Sequence, residues 1–439
     1  MTGELISLFD PSQPLPDPVT ETSQPAGTTL PAPAGWPPPP ADAAFHGLPG
    51  AIVAKIAPNT EADPVAILTQ LLVACGALIG RGAYFQVEAT LHHPNQFLLL
   101  IGDSSRARKG SSLDHVTKLL TEVDPAFPSR LTTGLSSGEG LVWKVRDPNG
   151  QDPGAGDKRL LVIEPEFASV LKSTGREIST LSPTLRSAWD GRPLALLTRT
   201  APARATDAHI SIIGHITATE LRHHTTRIEI ANGFMNRFVL ASVRRVRLLP
   251  EGGNPNPLKD TGLARYLQTV LKHARTAGHV KLDPAARELW WHAYPQLTEP
   301  GEGLASVIGA RAEAHTIRLA LLYALLDGQR HIQTQHLHAA LALWDYAARS
   351  AAWTLGQAAG DPLAEQLHAA LIRHPDGLTR TQLSDLLDRH QPASRIQQAL
   401  DALRAQGRAR HTRILTAGRP AELWNAAPRP SADHAPPTP

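Results

Sequence analysis

Apolar residues along this chain fall into short, nearly unbroken runs at 96–101, 159–163, 209–217 and 239–243. Strands buried on both faces read as runs of this kind. Between them, 113–123, 182–189 and 218–225 carry apolar residues at helical spacing. Their alternation predicts an α/β domain with a mostly parallel sheet and helices on both faces. A helical stretch comes first, at 45–81. In it Asn59 to Pro64 supply cap residues and an early proline, and Val65, Leu68, Leu71, Leu72 and Cys75 follow on one face. Gly80-Arg81-Gly82 ends that stretch. Residues 84–89 read as a strand, 92–95 as a turn, and 194–198 as a further short strand.

Domain boundaries follow from changes in this pattern. Residues 1–44 are rich in Pro, Thr and Ala and predict a disordered tail; 427–439 predict a second one. The sheet domain spans 45–250 and ends at a Gly/Pro/Asn linker, 251–257. Residues 258–360 read as helical, with Ile317, Leu321 and Leu325, then Leu337, Leu341 and Trp344, in periodic positions. Residues 361–426 read as helices at 362–373, 379–389 and 394–406 and strands at 408–416 and 421–424, a winged-helix pattern.

Composition narrows the function classes. A single cysteine, Cys75, excludes a disulfide framework and a cysteine zinc site, and fits a reducing cytoplasm. No apolar run reads as long enough to cross a membrane, and the first residues lack a signal-peptide pattern. The formal net charge of +3 sets up no strong overall field, although Arg, the better phosphate fork, dominates the cations.

The richest chemistry follows the run at 96–101. There stand Gly102, Asp103, Ser104, Ser105, Arg106, Ala107, Arg108, Lys109, Gly110, Ser111 and Ser112, then a helix. Loop amides and a helix N-terminus suit phosphate, and a lysine meets its charge. The nucleotide-binding consensus is G-x-x-x-x-G-K-[ST]. Counted back from Lys109, its glycines should be residues 103 and 108, which are Asp103 and Arg108; its hydroxyl should be residue 110, which is Gly110. Ingredients are present and glycines are shifted. The reading is an ATP site, with Ser111 as the hydroxyl for Mg2+.

The second apolar run ends in Glu164-Pro165-Glu166. A nucleotide hydrolase needs one acid near Mg2+ and one to orient water. Glu164 fits the first role. Glu166 and Glu139 both fit the second. Gly134 to Gly138 also match the hydrolase elbow G-x-S-x-G around Ser136, but 129–133 make a weak strand for an elbow. His215, near the end of the third run, could touch the γ-phosphate or the water. Arg237 is a candidate arginine finger. The histidine pairs His92-His93 and His223-His224 lack a third ligand at metal spacing. In the winged-helix segment Arg395 and Gln398 fall on the recognition helix and Arg408, Arg410 and Arg413 near the wing, as DNA contacts would.

Taken in order, Gly102–Ser111, Gly134–Gly140, Glu164–Phe167, Thr180–Pro183 with Trp189-Asp190, His209–Thr217 and Asn232–Phe238 resemble an actinobacterial branch of a P-loop family. Its members are RecA/AAA-like, helicase-type ATPases found with primase–polymerase modules on plasmids, phages and integrative elements. The resemblance covers about residues 45–250. It implies an oligomeric ATPase, expected as a ring, acting on DNA in replication of a mobile element, with a primase–polymerase as a separate partner. Lys109 and Ser111 would meet phosphate and Mg2+, Glu164 and Glu166 would be the acids, and Arg237 the finger. The expected fold is thus an α/β P-loop NTPase core, a helical region and a C-terminal winged helix. The alternative function is a DNA-binding replication initiator that uses nucleotide as a switch.

Overall fold

Five parallel strands form the centre of the molecule: Phe97–Ile101 (β1), Leu131–Thr132 (β2), Arg159–Glu164 (β3), His209–Ile216 (β4) and Phe238–Ser242 (β5). They stand in the order β2-β3-β4-β1-β5. The computed structural model describes residues 28–33, 35–176, 178–197, 202–225, 232–299, 309–356, 362–387, 391–405, 408–414 and 421–427. Every residue of β1, β4 and β5 is buried, which is why these strands read as continuous apolar runs.

Side chains leave alternate faces of the strands and feed two cores. Leu98, Leu100, Ile213, Val239 and Ala241 enter one; Phe97, Leu99, Ile101, Ile212 and Leu240 enter the other. Helices Gly47–Ile56 (α1), Pro64–Ile79 (α2) and Lys109–Val123 (α3) cover the first face. Gly138–Lys144 (α4), Phe167–Thr174 (α5), Leu181–Trp189 (α6) and Ala218–His224 (α7) cover the second. Phe97 pairs with Ile212 and Phe238, and Ile101 with Ile216 and Ser242. Segments that follow β1, β3 and β4 therefore open at one edge of the sheet, and segments that precede β1, β4 and β5 gather at the other.

α2 starts as its sequence predicts: Asp63 accepts the Val65 amide at 3.0 Å, and Pro64 sits in the first turn. Among the described residues, Pro64–Gly82 is long and apolar enough to cross a membrane. This corrects the reading that no run is. Its side chains are instead packed into the first core.

Two expectations change, and two helices are additions. Helices Leu263–Ala274 (α8), Pro284–Thr298 (α9), Ala312–Leu326 (α10) and Thr334–Gly356 (α11) are not a separate domain after residue 257. Leu267, Ile317, Leu321, Leu325 and Leu337 share the first core with α2 and α3, because those apolar faces have a common partner. The expected tail to residue 44 is partly built into the fold. The Leu30 amide donates to Val246 O at 2.8 Å, and Trp36 packs on Trp353 with ring centroids 4.7 Å apart; residues 1–27 lie outside the described residues. Finally, α4 and α5 were not foreseen, both being short helices next to Gly and Pro.

The C-terminal unit consists of Pro362–Arg373 (α12), Arg380–Asp385 (α13), Ala393–Ala405 (α14) and a hairpin of Ala409–Ile414 and Ala421–Ala426. Leu378–Thr379 pairs with the second hairpin strand. Leu367, Leu371, Leu383, Leu400, Leu403 and Trp424 make its own core. The helix expected to run to 389 ends at Asp385; residues 388–390 and the tail beyond 427 lie outside the described residues.

One position tests the packing between β1, β4 and α5. A Cβ on Gly214 would stand 2.5 Å from Phe167 Cδ2 and 2.6 Å from Leu99 Cδ2. Gly214→Ala should destabilise the protein by about 1–3 kcal/mol through overpacking. Urea unfolding measures it, and an unchanged midpoint would mean that space exists there.

Candidate functional site

The chain leaves β1 through a turn that only glycine allows. A Cβ on Gly102 would lie 2.3 Å from Val243 O and 2.7 Å from the Ala107 methyl. The Gly102 amide donates to Ile216 O at 3.1 Å, tying the loop to the end of β4. The loop then closes on itself. Arg106 N donates to Ser104 O at 2.5 Å, Ala107 N to Asp103 O at 3.4 Å, and the Ala107 side chain is buried.

The shifted glycines acquire a physical account here. Arg108 precedes the lysine, where the consensus has its second glycine, and it takes the left-handed conformation at φ 55°. This backbone is disfavoured for arginine, so something must hold it. Arg108 Nε donates to Glu61 at 2.8 Å. Glu61 also accepts from Arg245 and from the Leu249 amide, the latter at 2.8 Å. Burial raises the Glu61 pKa, but these donors outweigh it and leave the carboxyl below its ordinary value. Gly110, by contrast, lies inside the first turn of α3, where a Cβ would meet nothing within 4 Å. Ser111 is exposed in that turn, and Ser112 is fully buried.

Lys109 opens α3 and folds back over the loop. Its Nζ donates to Gly102 O at 2.5 Å, Ile216 O at 3.3 Å and Asp103 O at 3.4 Å. Burial lowers its pKa, while the charges of Glu220, Asp103 and Glu166 act the other way. At its back runs a polar chain that sequence reading missed. Gln70, fully buried in α2, donates from Nε2 to Ala66 O at 2.9 Å and to Ser112 Oγ at 2.7 Å. Ser112 Oγ donates to Lys109 O at 2.7 Å, and Gln70 Oε1 accepts from His215 Nε2 at 3.1 Å. The Ala66 and Lys109 carbonyls can only accept, and so they fix the direction of every bond in the chain. The only signal for Gln70 in the sequence is one amide inside an apolar helix.

His215 therefore faces α2 and holds the loop from behind, as the neutral Nε2–H tautomer. Burial, helped by the Lys109 charge, lowers its pKa to about 4. The expected direct touch on a phosphate or water gives way to this bond.

The three acids separate. Glu164 is buried and accepts the Leu135 amide at 2.6 Å; burial raises its pKa, and the Leu135 and Gly134 amides oppose the rise. It anchors the segment after β2. Glu139, in the first turn of α4, accepts the Thr180 hydroxyl at 2.7 Å, which lowers its pKa. Glu166 is exposed at the start of α5 and is the one of the three whose charge acts on Lys109. Ser136 lies in irregular chain between β2 and α4 rather than at a strand-to-helix elbow, and no described histidine bonds to it. The strand ends at Thr132, four residues before Ser136, so the tight turn of a hydrolase elbow is not formed there.

Arg237 requires a correction. It precedes β5, at the sheet edge opposite the loop, and is buried. It is paired with Asp190 at 2.9 Å and donates to Gly233 O at 2.5 Å. A finger must offer its guanidinium to a neighbour, and this one is committed inside its own chain.

In the C-terminal unit Arg410 is exposed on the first hairpin strand, Arg395 lies in the first turn of α14, and Arg408 Nη2 meets His368 Nδ1 at 3.0 Å. Gln398 and Arg413 lie on α14 and the hairpin, their side chains outside those described. Among the described residues one His/Asp cluster stands elsewhere: Asp327 Oδ2 meets His46 Nε2 at 2.7 Å and His336 Nε2 at 3.2 Å. The Gln333 amide donates to His336 Nδ1 at 2.9 Å, so Nε2 carries the proton. A metal would need that lone pair; the cluster is a hydrogen-bonded clip joining α1, α10 and α11.

No protein-family model matches the chain, and no curated protein matches it.

His215 gives a pH prediction. Its pKa is about 4 when folded, against an ordinary value of 6.5. The stability it contributes is complete above 6.5 and is lost as pH falls towards 4, because the unfolded chain takes up the proton first. The loss approaches about 1.4 kcal/mol per pH unit per histidine in that window. His209, with its pKa lowered to about 3 by burial, adds to it. Unfolding free energy measured from about pH 7 to about pH 5 should fall, and less steeply in His215→Asn. Equal slopes would contradict a buried neutral His215.

Proposed function

We propose that the chain is a P-loop ATPase of RecA/AAA type that acts on DNA. The observation that carries this reading is the loop after β1. A glycine-dependent turn leads into a helix whose first residue, Lys109, spans the loop through three backbone carbonyls. Phosphate oxygens are stronger acceptors for an ammonium than carbonyls are. The free amides of the first turn of α3 add the positive end of the helix. The sheet order supports the reading too. β4 lies between the loop strand β1 and the acid strand β3, and all three are parallel, so the loop and the acids leave the sheet at the same edge. Ligands of open α/β sheets bind at such strand ends.

Glu166 is the acid best suited to orient the attacking water, since Glu139 is bonded to Thr180 and Glu164 to the Leu135 amide. Mg2+ would be held by Ser111, with Glu164 beyond it, and would neutralise charge on the phosphate oxygens. The C-terminal unit, three helices and a hairpin, fits a winged helix. Arg395, Gln398, Arg408, Arg410 and Arg413 would carry its DNA contacts. A ring of subunits and a primase–polymerase partner rest on the resemblance alone. The work would be that of a DNA motor or loader for a mobile element, in the cytoplasm.

A second reading has its own observation. The residue after Lys109 is Gly110, and the nearest hydroxyls are an exposed Ser111 and a Ser112 turned inward. Weak Mg2+ placement would favour a nucleotide-switched initiator with little turnover.

ATP binding and hydrolysis by the full chain, with and without single-stranded DNA, test these readings. Lys109→Ala should lose both binding and turnover. Glu166→Gln should keep binding and lose turnover by about 10²- to 10⁴-fold. DNA-stimulated turnover indicates the motor; tight ATP binding with turnover that DNA leaves unchanged indicates the switch. Turnover unaffected by Lys109→Ala would refute both.

A further inference from the structure

We propose that Glu220 is a positioning residue that weakens nucleotide binding at the loop by holding Lys109 against the end of β4. The inference rests on the P-loop reading and assigns a role to a carboxylate outside the acid pairs that the sequence suggested.

One peptide group joins the two residues. The Ile216 carbonyl accepts from Lys109 Nζ at 3.3 Å. The amide of that same peptide, on Thr217, donates to Glu220 Oε2 at 3.1 Å. A cation on the oxygen and an anion on the N–H polarise the group in the same sense, so each bond strengthens the other. Glu220 is not a wandering surface acid. Thr217 Oγ1 donates to Glu220 Oε2 at 2.8 Å and accepts the Glu220 amide at 3.2 Å, the reciprocal capping box that starts α7. The carboxylate is thereby pinned one peptide away from the ammonium. Each residue feels the other: Glu220 raises the Lys109 pKa more than Asp103 or Glu166 does, and Lys109 helps to lower that of Glu220.

A di- or triphosphate must draw Lys109 off the Ile216 carbonyl and then sit near a fixed negative charge. Both effects oppose binding, and both are larger for ATP than for ADP because the γ-phosphate adds charge. A Mg2+ ligand at this position would have the opposite sign, since its removal weakens binding. Sign alone therefore separates the two roles.

Glu220→Gln isolates the charge. Gln is the other residue that completes a capping box, so α7 keeps its start. Calorimetric titration of the full-length protein with Mg2+-ATP should show about two- to five-fold tighter binding in this variant at low salt, the scale of one screened charge. The gain should shrink at high salt and be smaller for ADP. Glu220→Ala, which loses cap and charge together, should also bind more tightly if it melts as a folded protein. If Lys109→Ala weakens ATP binding but Glu220→Gln binds as wild type or more weakly, the role of Glu220 is wrong and the loop reading stands. If wild type and Lys109→Ala bind ATP alike, the loop reading falls and takes this inference with it.

Discussion

The close approach of Gly102 to Val243 is the constraint on which the candidate site depends. β1 is hydrogen-bonded on both sides, to β4 and β5, so its end cannot shift sideways. The next residue must turn within 2.3 Å of a neighbouring carbonyl, measured from where a Cβ would be. With glycine there, the loop folds back far enough for Ala107 to be buried and for α3 to begin at Lys109. A lysine in the first turn of that helix then reaches the ends of β1 and β4 together. The position of its ammonium is thus a consequence of backbone register, before any side-chain partner is considered.

Support comes from both sides of the loop, by unequal means. On the Arg108 side it is ionic: Glu61 gathers Arg108, Arg245 and the Leu249 amide, and so stabilises a left-handed arginine that would cost about 1–2 kcal/mol unaided. Behind the lysine it is a neutral network of Gln70, Ser112 and His215. A buried amide is tolerated in an apolar helix only when its donors and acceptor are satisfied, and Gln70 meets that condition with three partners. α2 belongs to the helical layer, so the network also binds the loop to helices well outside the sheet.

Legibility in the sequence followed how local each signal was. Buried strands announced themselves, because two-sided burial leaves no polar alternation, and β1, β3, β4 and β5 fell within a residue or two of their expected places. The Lys109 loop was visible from its strand-loop-helix context. What stayed hidden depends on contacts distant in sequence. Glu61 and Gln70 lie 47 and 42 residues from their partners Arg108 and Ser112, and no spacing rule links them. Packing gives no reason for the small size of Gly110, since a Cβ there would meet nothing within 4 Å. The continuity of one core across residues 251–257 was also hidden, since a Gly/Pro/Asn segment reads alike whether it joins two domains or crosses the surface of one.

At the opposite edge of the sheet, Arg237 belongs to a cluster of buried and half-buried charge. Three guanidiniums, of Arg237, Arg311 and Arg318, surround Trp189 with centroid distances of 5.7, 5.1 and 3.8 Å. Asp190 is bonded to Arg237 and lies 3.7 Å from Arg311. Arg318 is fully enclosed, donates to Asn95 and the Trp189 carbonyl, and has its pKa lowered to about 9 by burial. So much charge away from water is retained only where hydrogen bonds fix it. Here those bonds tie α6, α10 and the turn before β5 to the start of β1. The Asn-Arg-Phe segment thus fastens the helical layer to the sheet at one edge, while Gln70 does so at the other. β1 is gripped at both ends, and that rigidity is what a loop needs if the place of one lysine is to decide what it binds.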